Sequence, residues 1–150
     1  VVAKKGSNIK IDSLADVKNY SLCIGDESVP AGNYARQALS TIGCYEGGTD
    51  GKGGQYVGID PLLDTSVGNV CKHAASGEVD LAIVYSSDVY RFDGVEVVYK
   101  IPNDTHKSIV YPKAVCKSTV NQQAADDFLN WCMTDAEAAK IWQAWGFTLA

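Results

Sequence analysis

Apolar residues recur along this chain with two periods, one near two and one near three and a half, and the switches between them mark its elements. Val1 to Lys4 reads as a strand end and Gly6-Ser7-Asn8 as a turn. Asp12 or Ser13 can cap a short helix over Leu14 to Val17. Tyr20 to Ile24 is a short β-favouring run closed by Gly25-Asp26. Ser28-Val29-Pro30-Ala31-Gly32 then opens a helix running through Leu39 and Ile42, with Pro30 suited to the first helical position and Gly43 closing it. Gly47 to Gly54 reads as a flexible loop and Gln55 to Ile59 as a strand, and Pro61 interrupts the pattern beyond it. Asn69 is placed to cap a helix from Val70 to Ser76, stopped by Gly77.

Val79 to Tyr85 is nearly unbroken in its apolarity, as a buried parallel strand should be. Val95 to Ile101 alternates like an edge strand, and Ser108 to Cys116 reads as a further strand carrying Pro112. In the tail, Ala124, Ala125, Phe128, Leu129 and Cys132 share one helical face, and Ala138, Ile141, Trp142 and Trp145 share another. Thr134 with Glu137 fits a capping box between them. The order predicts an α/β fold: an open, mostly parallel sheet with helices on both faces, plus a C-terminal helical tail.

With 46% hydrophobic residues in 150, the chain can bury one ordinary core. Its net charge is −5, and no Lys/Arg run suggests nucleic acid or an anionic membrane. No apolar run approaches the roughly 18 residues of a membrane span. The chain starts at Val1 inside an apolar stretch, which reads as a piece of a longer polypeptide with an export signal upstream. Cys23, Cys44, Cys71, Cys116 and Cys132 form no C-x-x-C pair, so no zinc site is expected; Cys23, Cys71 and Cys132 read as small buried hydrophobes. The chain carries no G-x-S-x-G elbow, P-loop or H-E-x-x-H motif, and no enzyme activity is expected.

Two helix starts follow strand ends, at Ser28 to Gly32 and at Asn69-Val70. In open α/β sheets ligands sit at the carboxyl ends of strands, where the first turn of a helix offers N–H groups and the positive end of its dipole. Ala31, Gly32 and Asn33 are candidate N–H donors, Pro30 cannot donate, and Gly32 would let an anion approach the backbone. Tyr85 at a strand end, His106 as a hydrogen-bonded hinge residue, and His73 as an exposed helical residue complete the polar inventory. Carboxylates at Asp126, Asp127, Asp135 and Glu137 lie at helix starts and favour the dipole without further role.

Four segments carry a resemblance to one family. Gly25-Asp26-Glu27-Ser28-Val29-Pro30-Ala31-Gly32-Asn33-Tyr34-Ala35 resembles the GDPxSVPAGxYA segment of periplasmic molybdate-binding proteins of ABC transporters. Gly77 to Asp88 resembles their GEADxGIVYxTDA segment, Ile101 to Pro112 their IPxxxHxPIVYP strand, and Gln123 to Phe147 their C-terminal ending. The resemblance implies one lobe of a type II periplasmic binding protein fold. Residues 1–7 would be a hinge strand, 8–107 the second lobe, and 108–150 a return strand and helices belonging to the first lobe. It implies a molybdate or tungstate site between two lobes, with no cofactor and no side-chain metal ligand. This lobe would contribute the N–H of Ala31, the N–H of Val70 and the Tyr85 hydroxyl, with Pro30 and Gly32 shaping the turn.

The stretch from Gly47 to Leu63 lengthens the link to Asn69 relative to the family, so Val67 or Gly68 stands as an alternative to Val70. Molybdate at neutral pH is a full dianion and only accepts hydrogen bonds, so a donor-only site suits it. The implied partner is an ABC permease, and the implied location of this protein is extracytoplasmic, in the periplasm or lipid-anchored at the cell surface. The apolar tail helices predict a dimer or an exchanged tail for this piece alone, and the same helices leave Trp131, Trp142 and Trp145 to pack on the absent lobe or a partner. Other readings of the same fold are the sensing half of a transcription regulator and a binding protein for another oxyanion such as sulfate.

Overall fold

The computed structural model describes residues 1–147. The last three residues of the expected tail, 148–150, lie outside the described residues, and the chain divides into two compact units, the first Val1–Ser108 and the second beginning at Ile109.

The first unit is built on a five-stranded sheet. Its strands are β1 (Val2–Lys4), β2 (Leu22–Gly25), β5 (Leu62–Asp64), β6 (Leu81–Ala82) and β7 (Val95–Val97), in the order β5-β2-β6-β1-β7. Between β2 and β5 lie helix α1 (Pro30–Thr41) and a small ribbon of β3 (Tyr45–Glu46) and β4 (Gln55–Tyr56). Helix α2 (Val67–Ser76) connects β5 to β6. β2 pairs in parallel with β5 and with β6, whereas β1 is antiparallel to both β6 and β7. Only β1 therefore runs against the other four, and the open, mostly parallel sheet is as expected.

Alternation along these short strands divides the core into two layers. Ala3, Leu22, Ile24, Leu81 and Ile83 pack with Ala35, Ala38 and Leu39 of α1 and with Leu14 and Val17 of a 3₁₀ helix (Leu14–Asn19). Val2, Cys23 and Ala82 point the other way and pack with Val70 and Ala74 of α2. Helices thus cover both faces, and the central strands are apolar throughout because neither face meets water.

Several expected boundaries move. β5 was hidden behind Pro61: proline at the start of a strand is compatible with an edge position, and β5 is the sheet's edge. β7 is an edge strand as expected but ends at Val97 rather than Ile101. Helix α2 begins at Val67 with Ser66 as N-cap, three residues before the expected start, and ends at Gly77 with φ +83° as expected. The glycine-rich stretch is a seated turn: Gly48 N–H bonds Lys52 O, Gly53 N–H bonds Glu27 Oε1 and Gly54 N–H bonds the Tyr45 hydroxyl.

The second unit contains α3 (Gln122–Thr134) and α4 (Ala136–Ala144). No strand forms over 108–116, contrary to the alternation there; the described residues offer it no partner strand, and an isolated extended segment has no ladder to join. The cap of α4 is Asp135, whose carboxylate accepts from Glu137 N–H at 2.8 Å, while the Thr134 hydroxyl donates back to Asn130 O. Trp142 Nε1 donates to Cys132 O at 2.7 Å, and Phe128, Trp131, Ile141 and Trp145 remain largely exposed. No helix is long and apolar enough to cross a membrane among the described residues.

Candidate functional site

Three adjacent parallel strands, β5, β2 and β6, end along the same edge of the sheet. β5 leads through Asp64 into the first turn of α2, and β2 leads through Gly25 into the first turn of α1. β6 continues extended, with Ile83 N–H on Cys23 O at 3.2 Å, to Tyr85. Chain topology therefore brings both helix starts and Tyr85 to one edge. Tyr34, one turn into α1, meets the Tyr85 ring edge-on at 6.4 Å between centroids and the His106 ring at 5.8 Å.

The first turn of α1 follows from its sequence. Pro30 takes the first helical position, where its missing N–H is no loss, and Val29 is the N-cap. Valine has no side-chain acceptor, so no cap competes for the first N–H groups. Ser28 cannot help, because its N–H and hydroxyl both turn back to Asp26 Oδ1, at 2.8 and 2.5 Å, and hold that carboxyl below its ordinary pKa. Gly32 and Asn33 N–H both donate to Val29 O, at 3.0 and 3.2 Å. These two amides are spent inside the turn, contrary to expectation, and Ala31 N–H has no acceptor among the described residues.

Gly32 also serves differently from expected. A Cβ there would lie 1.9 Å from Gly25 O, so its space is filled by the end of β2 rather than left for a ligand.

In α2 the Val70 N–H donates to Ser66 O at 3.0 Å, and Val70 itself is fully buried. Starting the helix at Val67 closes the first i→i−4 bond at Val70, so this amide is not a free donor. The first-turn donors are instead Val67, Gly68 and Asn69, none of them capped by the Ser66 side chain. Asn69 does not cap: its amide donates to Asp64 Oδ1 at 3.1 Å, which also accepts Ser66 N–H at 3.0 Å. His73 is not free on the surface but lies between Glu78 Oε2 at 2.6 Å and Asp64 Oδ2 at 3.2 Å, and these bonds, Glu78's first, raise its pKa. Burial pushes the Asp64 pKa up, but its bonds to His73, Asn69 and Ser66 outweigh this and lower it.

Tyr85 is half-buried at the start of a 3₁₀ turn (Ser86–Tyr90). Its N–H donates to Asp88 Oδ2 at 3.1 Å, and Asp88 N–H donates to Tyr85 O, so the two residues lock the turn. Burial raises the Asp88 pKa.

The largest feature missed by sequence reasoning is Arg36. It is 1% exposed and makes five hydrogen bonds: Nη1 to Gly25 O at 2.8 Å and the Tyr56 hydroxyl at 3.2 Å, Nη2 to Asp26 O at 3.0 Å and Asn33 Oδ1 at 2.6 Å, and Nε to Gly51 O at 2.6 Å. The guanidinium ties the end of β2, the first turn of α1 and the glycine-rich turn into one body. An arginine one position from the apolar face formed by Ala35, Ala38 and Leu39 was the available signal. Among the described residues no group of His, Cys, Asp and Glu is arranged to hold a metal ion. What the edge offers is a set of fixed donors at two dipole-positive helix ends, an arrangement suited to a ligand rich in acceptor oxygens.

Comparison with known proteins agrees with this architecture. A family model for bacterial extracellular solute-binding proteins matches residues 1–148. The molybdate-binding protein ModA of Escherichia coli is 32% identical over 161 aligned positions, covering 99% of this chain and 57% of that protein. A Bacillus subtilis protein, YvgL, provisionally described as an ABC transporter substrate-binding lipoprotein, is 29% identical over 99% of this chain and 54% of its own length. A solved Clostridium difficile structure, provisionally described as the substrate binding domain of a molybdenum ABC transporter, superposes with a TM-score of 0.78 at 26% identity, covering 99% of this chain and 62% of that one. The chain thus spans about half the length of the curated relatives it matches. The family is one of binding proteins rather than enzymes, and the chain belongs to the bacterial extracellular solute-binding proteins.

Proposed function

We propose that this chain is the C-terminal portion, the second lobe and tail, of the extracytoplasmic binding component of a molybdate or tungstate ABC transporter. The observation that carries the reading is the meeting, on one sheet edge, of two helix N-termini without side-chain caps and a tyrosine at a parallel strand end. Ala31 N–H, the N–H groups of Val67 and Gly68 in place of Val70, and the Tyr85 hydroxyl are its donors. Pro30 and Gly32 shape the turn. A deprotonated tetrahedral dianion accepts from all of them and offers no proton that would need an acceptor.

Residues 8–107 act as the second lobe, 1–7 as a hinge strand, and 108–150 complete the first lobe, whose remaining donors lie on chain outside these residues. Closure of the two lobes on the anion gives the closed form more ligand contacts and shifts the population toward it. That form then docks on the permease. E. coli ModA and the C. difficile relative, whose names specify molybdate and molybdenum, support the choice of anion.

The test is calorimetry on the full-length protein with molybdate, tungstate and sulfate. Molybdate and tungstate bind in preference to sulfate, and Tyr85→Phe weakens molybdate by roughly tenfold or more, the loss of one hydrogen bond to a charged group. Equal affinity for sulfate and molybdate, or an unchanged Tyr85→Phe, overturns the assignment.

A further inference from the structure

Arg36 is a buried cation whose hydrogen bonds all go to neutral oxygens: three carbonyls, one amide and one phenol. No carboxylate lies within ion-pair distance of it among the described residues. A charge taken out of water without a counter-ion is unfavourable, and neutral dipoles offset this only in part. Its position matters as much as its burial. Two of its acceptors, Gly25 O and Asp26 O, belong to the residues that lead into the Ala31 turn, and a third, Asn33, is in that turn.

The surroundings of the same edge are acidic. Asp26 and Glu27 precede α1, and Asp64 precedes α2, with its main-chain oxygen accepting Asp26 N–H at 2.9 Å. The chain as a whole carries −5. Without Arg36, a dianion would approach this edge against these carboxylates, of which Asp64 is paired with His73, aided by helix dipoles and neutral donors.

We infer that Arg36 supplies the buried counter-charge for the anion while making no contact with it, acting through the Gly25 and Asp26 carbonyls it anchors; this rests on the oxyanion reading given above. Arg36 is a positioning residue whose charge also enters the binding energy. Burial keeps that contribution from being screened by salt as a surface charge would be.

The experiment is calorimetric titration of molybdate into the full-length protein and its Arg36→Gln and Arg36→Lys variants, with thermal melts alongside. Gln removes both the charge and the fork; Lys keeps the charge and loses the fork. Expected is a loss of about tenfold or more in affinity for Gln. Lys recovers most of that loss, although its melting temperature falls along with that of Gln. Equal weakening by Lys and Gln overturns the inference and leaves Arg36 as scaffold; unchanged affinity in Gln overturns it as well.

Should Arg36→Gln fail to fold, Asp26→Asn removes a carboxylate charge that couples to the guanidinium while leaving the guanidinium's hydrogen bonds in place. It tightens molybdate several-fold if the field matters, and unchanged or weaker binding overturns the inference. A wild-type protein that binds no tetrahedral oxyanion overturns the functional reading together with this one. A wild type that binds while Arg36→Gln does so equally well overturns this one alone.

Discussion

Replacing Gly32 with alanine tests whether the first turn of α1 is held against β2 or open to a ligand. The added methyl would lie 1.9 Å from Gly25 O, 2.4 Å from Gly25 C and 2.9 Å from Asp26 O. All three are backbone atoms, so no side-chain rotation relieves the contact and the helix must shift by more than an ångström. Overpacking of this kind costs about 1–3 kcal/mol and sometimes more. Helix propensity works the other way, favouring alanine over glycine by up to ~1 kcal/mol.

Because all three contacts are with backbone, the steric cost lies at or above the top of that range, leaving a net loss of about 2 kcal/mol or more. With an unfolding entropy near ~2.1 cal/mol/K per residue, that loss lowers the melting temperature of a unit this size by roughly 10 °C. The displaced turn carries Ala31 N–H with it, so oxyanion affinity falls as well. Gly43→Ala is the matched comparison: it has nothing within 4 Å and only a φ of +67°, so it loses about 1 kcal/mol through backbone strain alone. Circular dichroism melts and urea titrations of the two variants decide the matter. Gly32→Ala melting within about 2 °C of wild type, or above Gly43→Ala, would refute the reasoning.

His73 gives a pH signature of definite sign. Its bonds to Glu78 and Asp64 raise its pKa above the ordinary 6.5, so the stabilisation it brings is complete below that value and drains away as pH rises through the raised one. The urea midpoint of wild type relative to His73→Gln should therefore shrink on the alkaline side, and a difference constant from about pH 5 to 9 would contradict this. The cysteines separate by burial: Cys23 and Cys71 are pushed up to about 12, chiefly by desolvation, and Cys44 is raised by the same cause, whereas Cys116 is exposed. Thiol titration of the native chain should label Cys116 first and leave those three silent until denaturant is added; prompt labelling of any of the three would count against the packing described.

Strands and helices at the centre of the sheet were legible because burial on both faces leaves a continuous apolar run, as at Leu81 to Ile83. Pro30 and Gly43 were legible because each has a backbone reason to stand where it does. The strand expected over 108–116 was not recoverable from pattern alone: alternation records that a segment could pair, while pairing itself requires a neighbour. Arg36 carried only a faint signal, for a different reason. A charged residue beside an apolar helical face ordinarily snorkels to water, and only the folded positions of Gly25, Gly51 and Tyr56 reveal acceptors waiting for it.

The start of α2 shows why the site was harder to read than the fold. Shifting a helix start by three residues moves it by nearly one turn, so the same face remains inward: Val67, Val70, Cys71 and Ala74 have the same spacing whichever residue begins the helix. Hydrophobic period therefore locates the helix face and is blind to the amide that opens it. Ser66 and Asn69 are both acceptable caps by residue type, and the choice between them is made by Asp64, which engages Ser66 N–H and the Asn69 side chain together. Side chains report their burial in sequence; main-chain donors do so only through the turn that frees them. An anion site of the kind proposed, made of backbone N–H groups, is consequently specified by cap register: a shift of three residues is all that separates Val70, whose amide is consumed by the helix, from the alternatives Val67 and Gly68.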